Sequence, residues 1–295
     1  MIPASEEVFN YERAFVRNLG WISPKEQERL KHSCVAVAGL GGAGGLMATT
    51  LARLGVGSFK LADPESFDVT DINRQTGASW DTLFLRKTEV ISTMILAINP
   101  EARIETFSEG VTKENFKLFL KGANLAIDGI DLFEPHAKLL FFKNCREKKI
   151  PVVTSCPLGF GASFLAFSPQ GMSWEDYFGI SPEMDEREMI LATLFGLSPS
   201  ALSLSYAGSD VLDLKKLKGS TVAPALALVA SLAATEAVKL LTGKGKTRFA
   251  PHVFQIDLMN QKVVRRYYRF GMKSLLQRMK KALILKIMKG KIQGL

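Results

Sequence analysis

Short apolar runs alternate with segments of helical periodicity through the first half of the chain. The runs predict strands at residues 35–38, 59–62, 103–107, 125–127 and 152–155. The intervening segments predict helices at residues 46–54, 87–99, 113–120 and 134–148. Strands that are separated by helices favour an α/β fold, in which a doubly wound, mostly parallel sheet carries helices on both faces.

The alternation ends after Cys156. A strand is predicted at residues 162–167, followed by an insertion of short helices at about 170–220. Two apolar runs at 253–258 and 263–268 are separated by a polar turn, which is typical of a hairpin. The second half of the chain is therefore predicted to extend the sheet with antiparallel strands.

Residues 222–241 form an almost continuous apolar segment that is nearly long enough to span a bilayer. Glu236 and Lys239 interrupt the segment, and it is rich in alanine. These features favour a helix buried against the sheet over a transmembrane helix.

The glycine-rich turn after the first strand indicates a nucleotide site. Gly39, Gly41 and Gly44 follow the pattern G-x-G-x-x-G, which permits a tight turn, close approach of a phosphate, and close packing of helix on strand. Asp63 ends the second strand about 20 residues later, where a carboxylate can accept hydrogen bonds from ribose hydroxyls. The pattern predicts a Rossmann-like βαβ unit, although a glycine turn without a ligand remains an alternative.

The cysteine content and the N-terminal residues indicate which cross-links and which cellular location to expect. The three cysteines, Cys34, Cys145 and Cys156, are too few for a disulfide framework, which favours a reducing cytoplasm. They form no C-x-x-C pair, so a four-thiolate zinc site is not expected either. The first residues are acidic and lack an apolar run, so no signal peptide is predicted.

Charge is concentrated at the C-terminal end. The chain has a net charge of +9, yet residues 258–295 contain 11 Lys and Arg and no acidic residue, which leaves −2 for the remainder. From Gly271 to Lys289 the pattern is that of a basic amphipathic helix. Such a helix can dock on its own domain or partner, lie on an anionic membrane surface, or contact RNA.

Cationic and acidic side chains are expected around the nucleotide phosphates. Arg74 and Gln75 lie in the loop after the second strand, and Lys87 begins the next helix, so they could converge on a phosphate chain. Asp128 and Asp131 follow the fourth strand, where a magnesium ion that bridges phosphates needs carboxylate oxygens. This set favours attack on a nucleoside triphosphate over redox chemistry, although an NAD(P)-dependent oxidoreductase remains an alternative, and each residue also has an ordinary structural interpretation.

The order and spacing of these motifs resemble the adenylating domain of the HesA/MoeB/ThiF family, relatives of the ubiquitin-activating enzymes. The motifs that carry the resemblance are Gly39–Gly44, the strand that ends at Asp63, Asn73-Arg74-Gln75, Lys87, and Asp128-Gly129-Ile130-Asp131. The resemblance extends from about Tyr11 to Leu241. It implies three parts: an N-terminal helical arm (1–30), an ATP-binding adenylation domain (31–258), and a basic C-terminal strand and amphipathic helix (259–295).

The resemblance also implies roles for particular residues. Gly39, Gly41, Gly42 and Gly44 would cradle the phosphates of ATP, Asp63 would hold the ribose, and Asn73, Arg74, Gln75 and Lys87 would contact the triphosphate. Asp131 would hold magnesium with Asp128 nearby. Arg13 would reach the ATP of a partner subunit, which implies a homodimer. The implied reaction is attack of a substrate carboxylate on the α-phosphorus, giving an acyl-adenylate and pyrophosphate.

The sequence departs from the family pattern in several ways, one of which is that it lacks the zinc-binding C-x-x-C pairs of many relatives. Asp71 stands where the family usually has asparagine, which adds negative charge near the phosphates. After Cys156 there is no cysteine that could form a thioester, and Cys156 itself is expected to be a packed small residue. Adenylation without a thioester is therefore favoured, as in tRNA threonylcarbamoyladenosine dehydratases, whereas a catalytically silent nucleotide-binding module remains an alternative. The substrate could be a small molecule, a peptide, a carrier protein or a tRNA base.

Overall fold

The computed structural model describes residues 8–181, 183–208, 211–288 and 292–293. Its core is an eight-stranded sheet with the order β10-β9-β6-β5-β4-β1-β2-β3. The strands are β1 (Cys34–Ala38), β2 (Ser58–Ala62), β3 (Arg103–Phe107), β4 (Leu125–Asp128), β5 (Val152–Leu158), β6 (Gly161–Phe167), β9 (His252–Asp257) and β10 (Lys262–Tyr267). Strands β3, β2, β1, β4 and β5 are mutually parallel, whereas β6, β9 and β10 are added antiparallel.

Helices cover both faces of this sheet. They are α1 (Tyr11–Ala14), α2 (Pro24–Lys31), α3 (Gly42–Arg53), α4 (Lys87–Ile98), α5 (Phe116–Phe119), α6 (Pro135–Glu147), α7 (Trp174–Phe178), α8 (Glu186–Leu197), α9 (Ala223–Thr242) and α10 (Leu275–Met288). Because side chains alternate along a strand, Val35 and Val37 of β1 join one core with α3, α4 and α9. Ala36 and Ala38 join the other core, with α5, α6, α7 and α8. The predicted doubly wound α/β class, with its C-terminal hairpin, is confirmed.

Helix α9 corresponds to the apolar segment at 222–241, which the sequence predicts to be a helix buried against the sheet. Its length and composition would suit a bilayer span, and half of the apolar window is buried inside the protein. Val229, Ala233 and Ala237 pack in the same core as α3 and the sheet. This packing favours the predicted buried helix.

The insertion and the tail contribute α7, α8 and α10, which pack in the second core, and a small separate sheet. Asp185 caps α8 with its side chain, which accepts a hydrogen bond from the Glu188 N–H at 2.7 Å. Short strands β7 (Leu212–Asp213), β8 (Lys218–Gly219) and β11 (Ile292–Gln293) form a separate three-stranded sheet. The first seven residues of the predicted arm, and residues 289–291 and 294–295 of the tail, lie outside the described residues.

The boundaries differ from the predicted ones in two places. The helix predicted at 113–120 is limited to the single turn of α5, because Asn115 and Thr112 hold the preceding residues in a hydrogen-bonded turn. Over its described residues, the helical arm expected at 1–30 consists of α1, a 3₁₀ turn at Val16–Asn18, and α2, with Gly20 at φ +103° between the turn and α2. The shortening of α5 arises because side chains bond to nearby backbone groups in competition with the helix.

Candidate nucleotide site

The glycine turn after β1 is packed so closely that its backbone requires glycine. Gly39 has φ +82°, and a Cβ atom there would lie 2.3 Å from the carbonyl oxygen of Gly129. A Cβ on Gly44 would lie 1.8 Å from the oxygen of Gly39. A Cβ on Gly41 would meet nothing closer than the Gln75 side chain at 3.7 Å, and Gly41 lines the cleft. The turn therefore presents an uncovered backbone surface at the start of α3, which suits a phosphate.

Asp63 braces this turn from the neighbouring strand. Its Oδ2 accepts a hydrogen bond from the Leu40 N–H at 2.6 Å, and its Oδ1 accepts one from the Glu65 N–H at 2.8 Å. Burial raises the pKa of the Asp63 carboxyl above its usual range, and the two backbone donors act against that rise. Since each carboxylate oxygen can accept a second hydrogen bond, the predicted contact with ribose hydroxyls is compatible with this bracing.

Two cations flank a single buried carboxylate in the loop after β2. The Nη2 atom of Arg74 lies 3.6 Å from Oδ1 of Asp71, and the Nζ atom of Lys87 lies 3.7 Å from Oδ2 of the same group. Lys87 also pairs with Glu65 at 2.6 Å, and only 3% of its side chain is exposed. Asp71 therefore forms ion pairs with both of the cations that are predicted to bind phosphates, and its negative charge competes with the phosphates for them.

Gln75 carries an unsatisfied acceptor in the same cleft. Its Nε2 donates to Asp71, which fixes the orientation of the amide. Its Oε1 is buried and finds no hydrogen-bond partner among the described residues. Because a buried polar atom rarely stays unpaired, this oxygen suits a donor supplied by a ligand, such as a hydroxyl or an amino group.

The aspartate that ends β4 and the one three residues later differ sharply in their surroundings. Asp128 is buried and accepts hydrogen bonds from Lys138 Nζ at 2.8 and 2.9 Å and from Thr154 Oγ1 at 2.8 Å. Asp131 is exposed, and its Oδ1 accepts from the Phe133 N–H at 3.0 Å, whereas its Oδ2 has no partner among the described residues. Asp131 thus retains a free oxygen for a cation, while the charge of Asp128 is already neutralised.

One cavity of about 580 Å³ collects most of the predicted site residues. Its lining includes these members of the predicted set: Gly39, Gly41, Gly42, Asp63, Arg74, Gln75, Lys87, Asp128 and Asp131. Gly44 lies behind the turn. Asn73 does not line the cavity, but it bonds to two residues that do: its Nδ2 donates to the Thr221 carbonyl at 3.2 Å and its Oδ1 accepts from Arg74.

Arg13 does not reach this cavity within its own chain. It lies on α1, whose Tyr11 hydroxyl donates to the Gly55 carbonyl just beyond the C-terminal end of α3. The glycine turn is at the other end of this 12-residue helix, about 18 Å away. Contact of Arg13 with a nucleotide would therefore need a second subunit, and its predicted role stays a prediction.

Cys156 lines the cavity but lacks nucleophilic character. Burial raises the pKa of its thiol to about 12, and Asp128 and Asp131 add to this rise while Lys138 opposes it. A thiol with such a pKa stays protonated at neutral pH, and the thiolate is the reactive form. The predicted packing role fits this environment better than a thioester-forming role does.

Two residues of the site were not predicted from the sequence. Lys138 forms an ion pair with Asp128, and Glu65 forms one with Lys87. The position of Lys138 could have been predicted from the sequence, since it lies in the first turns of the predicted helix that follows the strand ending at Asp128.

Within the described residues no group of three or more His, Cys, Asp or Glu side chains is arranged to hold a metal ion. A magnesium ion here would need phosphate oxygens in addition to Asp131, which is how Mg²⁺ commonly binds beside nucleotides.

Comparison with known proteins gives matches across most of the chain. The model of the ThiF family matches residues 15–273. The tRNA threonylcarbamoyladenosine dehydratase of Escherichia coli is 39% identical over 122 residues, which cover 41% of this chain and 45% of that protein. Protein HesA of Nostoc sp. is 28% identical over 244 residues, covering 82% and 84%. The crystal structure of E. coli MccB with ATP matches with a TM-score of 0.63 at 20% identity, covering 92% of this chain and 74% of that one.

The extent of these matches limits what each one shows. The chain spans about half the length of the first curated relatives that it matches, from 45% to 58% of their own lengths. The likeness to MccB, at 20% identity, concerns the fold.

Proposed function

The chain belongs to the ThiF family, and on that premise we propose that it is an ATP-dependent adenylyltransferase that activates a substrate carboxylate. The observation that carries the proposal is the convergence of Arg74, Lys87 and Asp131 on the cavity that the glycine turn opens. An oxidoreductase leaves the pyrophosphate of its cofactor intact and has little use for this arrangement.

The proposed reaction begins with ATP lying along the strand ends. Its ribose is held near Asp63 and its phosphates near the N-terminus of α3, where free N–H groups and the helix dipole favour negative charge. A carboxylate oxygen of the substrate attacks the α-phosphorus, and the bond from that phosphorus to the bridging oxygen of pyrophosphate breaks. The electron pair leaves with pyrophosphate, so the step needs no proton transfer.

Arg74 and Lys87 supply most of the stabilisation in this proposal. Both must leave the Asp71 carboxylate in part to contact the phosphates, and Arg74 can then offer two parallel donors to the leaving oxygens. A magnesium ion held by Asp131 and the phosphates would neutralise charge that develops on the leaving group. Lys138 and Thr154 keep Asp128 fixed beside this position.

The test combines nucleotide binding with pyrophosphate exchange. We expect the wild-type protein to bind a non-hydrolysable ATP analogue by calorimetry and to exchange labelled pyrophosphate into ATP when its carboxylate substrate is present. Arg74→Ala should lower the exchange rate by about 10²–10³-fold, the loss typical of removing one group that stabilises developing charge. Arg103→Ala is the matched control, since Arg103 is an exposed arginine on β3 outside the cavity lining.

Two results would contradict the proposal. Absence of ATP binding by the wild-type protein would exclude adenylation. Binding of ATP without exchange, for small carboxylic acids, peptides, sulfur-carrier proteins and tRNA alike, would favour the silent nucleotide-binding module.

We also propose that two subunits share each site through Arg13, because this arginine cannot reach the cavity of its own chain. Mixing Arg13→Ala with Arg74→Ala subunits provides the test. A mixed dimer would contain one site with both arginines intact, so about a quarter of the wild-type sites should regain exchange after subunits reassort. No recovery, in a mixture shown to contain mixed dimers, would place Arg13 outside the reaction.

The outer face of α10 supports a further proposed contact, with an anionic membrane surface. The helix docks on its own domain through Gln277 and Ile284, yet its apolar stripe faces outward. The stripe consists of Leu275, Leu276, Met279, Leu283 and Ile287, which are 53–73% exposed. Exposed Arg278 and Lys286 lie on the same helix, and the absence of acidic residues after Asp257 complements anionic lipid.

Vesicle flotation tests this contact. The protein should float with vesicles that contain phosphatidylglycerol and much less with pure phosphatidylcholine. Leu283→Glu should abolish flotation, whereas the same substitution at Leu118, an exposed leucine of α5, should not. Binding to RNA that persists in Leu283→Glu, with no flotation of the wild type, would replace the membrane by RNA.

A further inference from the structure

The cavity that holds the nucleotide residues continues, beyond Asp131, into an apolar chamber. We define the apolar chamber by Leu191, Leu194 and Phe195 of α8, Leu212 of β7, and Ile284 and Leu285 of α10, all of which line the same cavity. Leu132 and Phe133 follow Asp131 directly in the chain and pack in one small apolar cluster with Leu191, Leu194 and Leu212. The chamber therefore begins next to the acid that is proposed to hold the metal.

The strand order indicates that this chamber lies on the substrate side of the cleft. Along the sheet the order is β3-β2-β1-β4-β5, with Asp63 at the end of β2, the glycine turn after β1, and Asp131 after β4. The ribose and base of a nucleotide therefore lie toward β2 and β3, where Glu109 and Val111 line the cavity. The opposite side, beyond β4, remains for the group that attacks the α-phosphorus.

The charges that line the cavity are poorly suited to a polyanion. Among the described lining residues there are six acidic side chains and three cationic ones. The three cations, Arg74, Lys87 and Lys138, each lie within 4 Å of an acidic group. A nucleic acid bound in the chamber would meet no cation other than these three among the lining residues that the structure describes, whereas its affinity depends on contacts between cations and phosphates.

We infer that the carboxylate activated here belongs to a small molecule with an aliphatic or aromatic body that lies in the apolar chamber between α8 and α10. The inference rests on the proposed adenylation. The carboxylate would approach the α-phosphorus past Asp131, and the body would replace water along Leu194 and Leu285. Pockets for small molecules are commonly built in this way, with apolar walls and a few polar groups that fix orientation.

The experiment separates nucleotide binding, chamber binding and chemistry. Calorimetry with a non-hydrolysable ATP analogue reports on the nucleotide site. Displacement of a fluorescent apolar dye by butanoate, octanoate, dodecanoate or phenylacetate reports on the chamber without any reaction. Pyrophosphate exchange with the same acids, and with total tRNA and a peptide ending in Gly-Gly, reports on activation.

We expect octanoate to displace the dye and to support exchange, with KM falling about fourfold for each methylene added until the chamber is filled. Leu194→Trp should narrow the chamber and raise KM for octanoate by about tenfold or more. Leu96→Trp, at an exposed position of α4, is the matched control. If Leu194→Trp does not fold, Leu285→Trp narrows the chamber from α10.

Each outcome decides the inference separately from the proposed function. ATP binding with exchange that depends on tRNA or the peptide but on none of the acids would overturn the inference and leave adenylation intact. Loss of ATP binding would overturn adenylation, whereas displacement of the dye would still report on the chamber. Failure of every acid to displace the dye would overturn the inference in either case.

Discussion

Asp71 is the residue at which a single change should strengthen nucleotide binding. Its carboxylate lies between Arg74 and Lys87, at 3.6 and 3.7 Å from their nearest nitrogens. It also accepts hydrogen bonds from the Asp68 N–H at 3.1 Å and from Gln75. Asp71→Asn keeps the shape of the side chain and one acceptor oxygen while removing the charge that competes with phosphates.

The size of the effect follows from the charges. At an effective dielectric constant near 20, two unit charges about 4 Å apart interact by about 4 kcal/mol, which sets a ceiling for each cation's attraction to Asp71. Water and salt reduce this attraction, and Lys87 retains Glu65 as a partner. A net gain of about 1.4 kcal/mol on binding the triphosphate is therefore expected, which corresponds to about tenfold tighter binding. Loss of one hydrogen bond should lower the free energy of unfolding by about 1 kcal/mol.

Calorimetric titration with a non-hydrolysable ATP analogue, at two salt concentrations, measures this effect. The difference between Asp71→Asn and wild type should shrink as salt rises, because screening weakens the interaction that was removed. Asp81→Asn removes the same charge at an exposed position outside the cavity lining and should leave the affinity unchanged. Equal or weaker binding by a folded Asp71→Asn protein would show that the phosphates do not contact Arg74 and Lys87 as proposed.

Three further predictions follow from the packing of the site. Lys138→Met leaves the buried Asp128 charge without its partner and should lower the free energy of unfolding in urea by about 3–5 kcal/mol, a loss that adding Asp128→Asn should largely restore. Because burial raises the pKa of the Cys156 thiol to about 12 from 9.0, the stability linked to it is present below pH 9 and is lost only as pH rises from 9 toward 12. Its alkylation at pH 8 should be about a thousandfold slower than in the urea-unfolded chain, as mass spectrometry would show, and equal rates would contradict this burial. Gly44→Ala should prevent folding because its Cβ would overlap a backbone oxygen, whereas Gly41→Ala should fold normally by circular dichroism and lose affinity for ATP.

The parallel half of the fold could be predicted because its signals are local. Apolar runs, helical periodicity and the glycine turn each act over a few residues, and the βαβ order then places Gly39, Asp63 and Asp128 along one edge of the sheet. The same reasoning brought Arg74 and Lys87 to one cavity, where the structure has them. Their predicted contacts with ATP remain predictions.

Contacts between residues that are far apart in the chain could not be predicted from the sequence. Lys138 neutralises Asp128 across ten residues and Glu65 pairs with Lys87 across 22, and neither spacing carries a periodic signal. The hydrophobic pattern of the tail correctly indicated an amphipathic helix. It could not indicate which face is buried, and the structure turns Gln277 and Ile284 inward and Leu276 outward.

Helix α10 takes part both in the apolar chamber and in the proposed membrane contact. Its inner residues Ile284 and Leu285 line the cavity, while Leu276, Met279 and Leu283 form the outward stripe. Aliphatic carboxylic acids partition into membranes because burial of each methylene group is favourable. A helix that closes an apolar chamber on one side and contacts lipid on the other would place the chamber beside a local source of such acids. Vesicles that stimulate exchange with dodecanoate in the wild type, and fail to do so in Leu283→Glu, would establish this coupling. Equal stimulation of both proteins would separate membrane contact from substrate delivery.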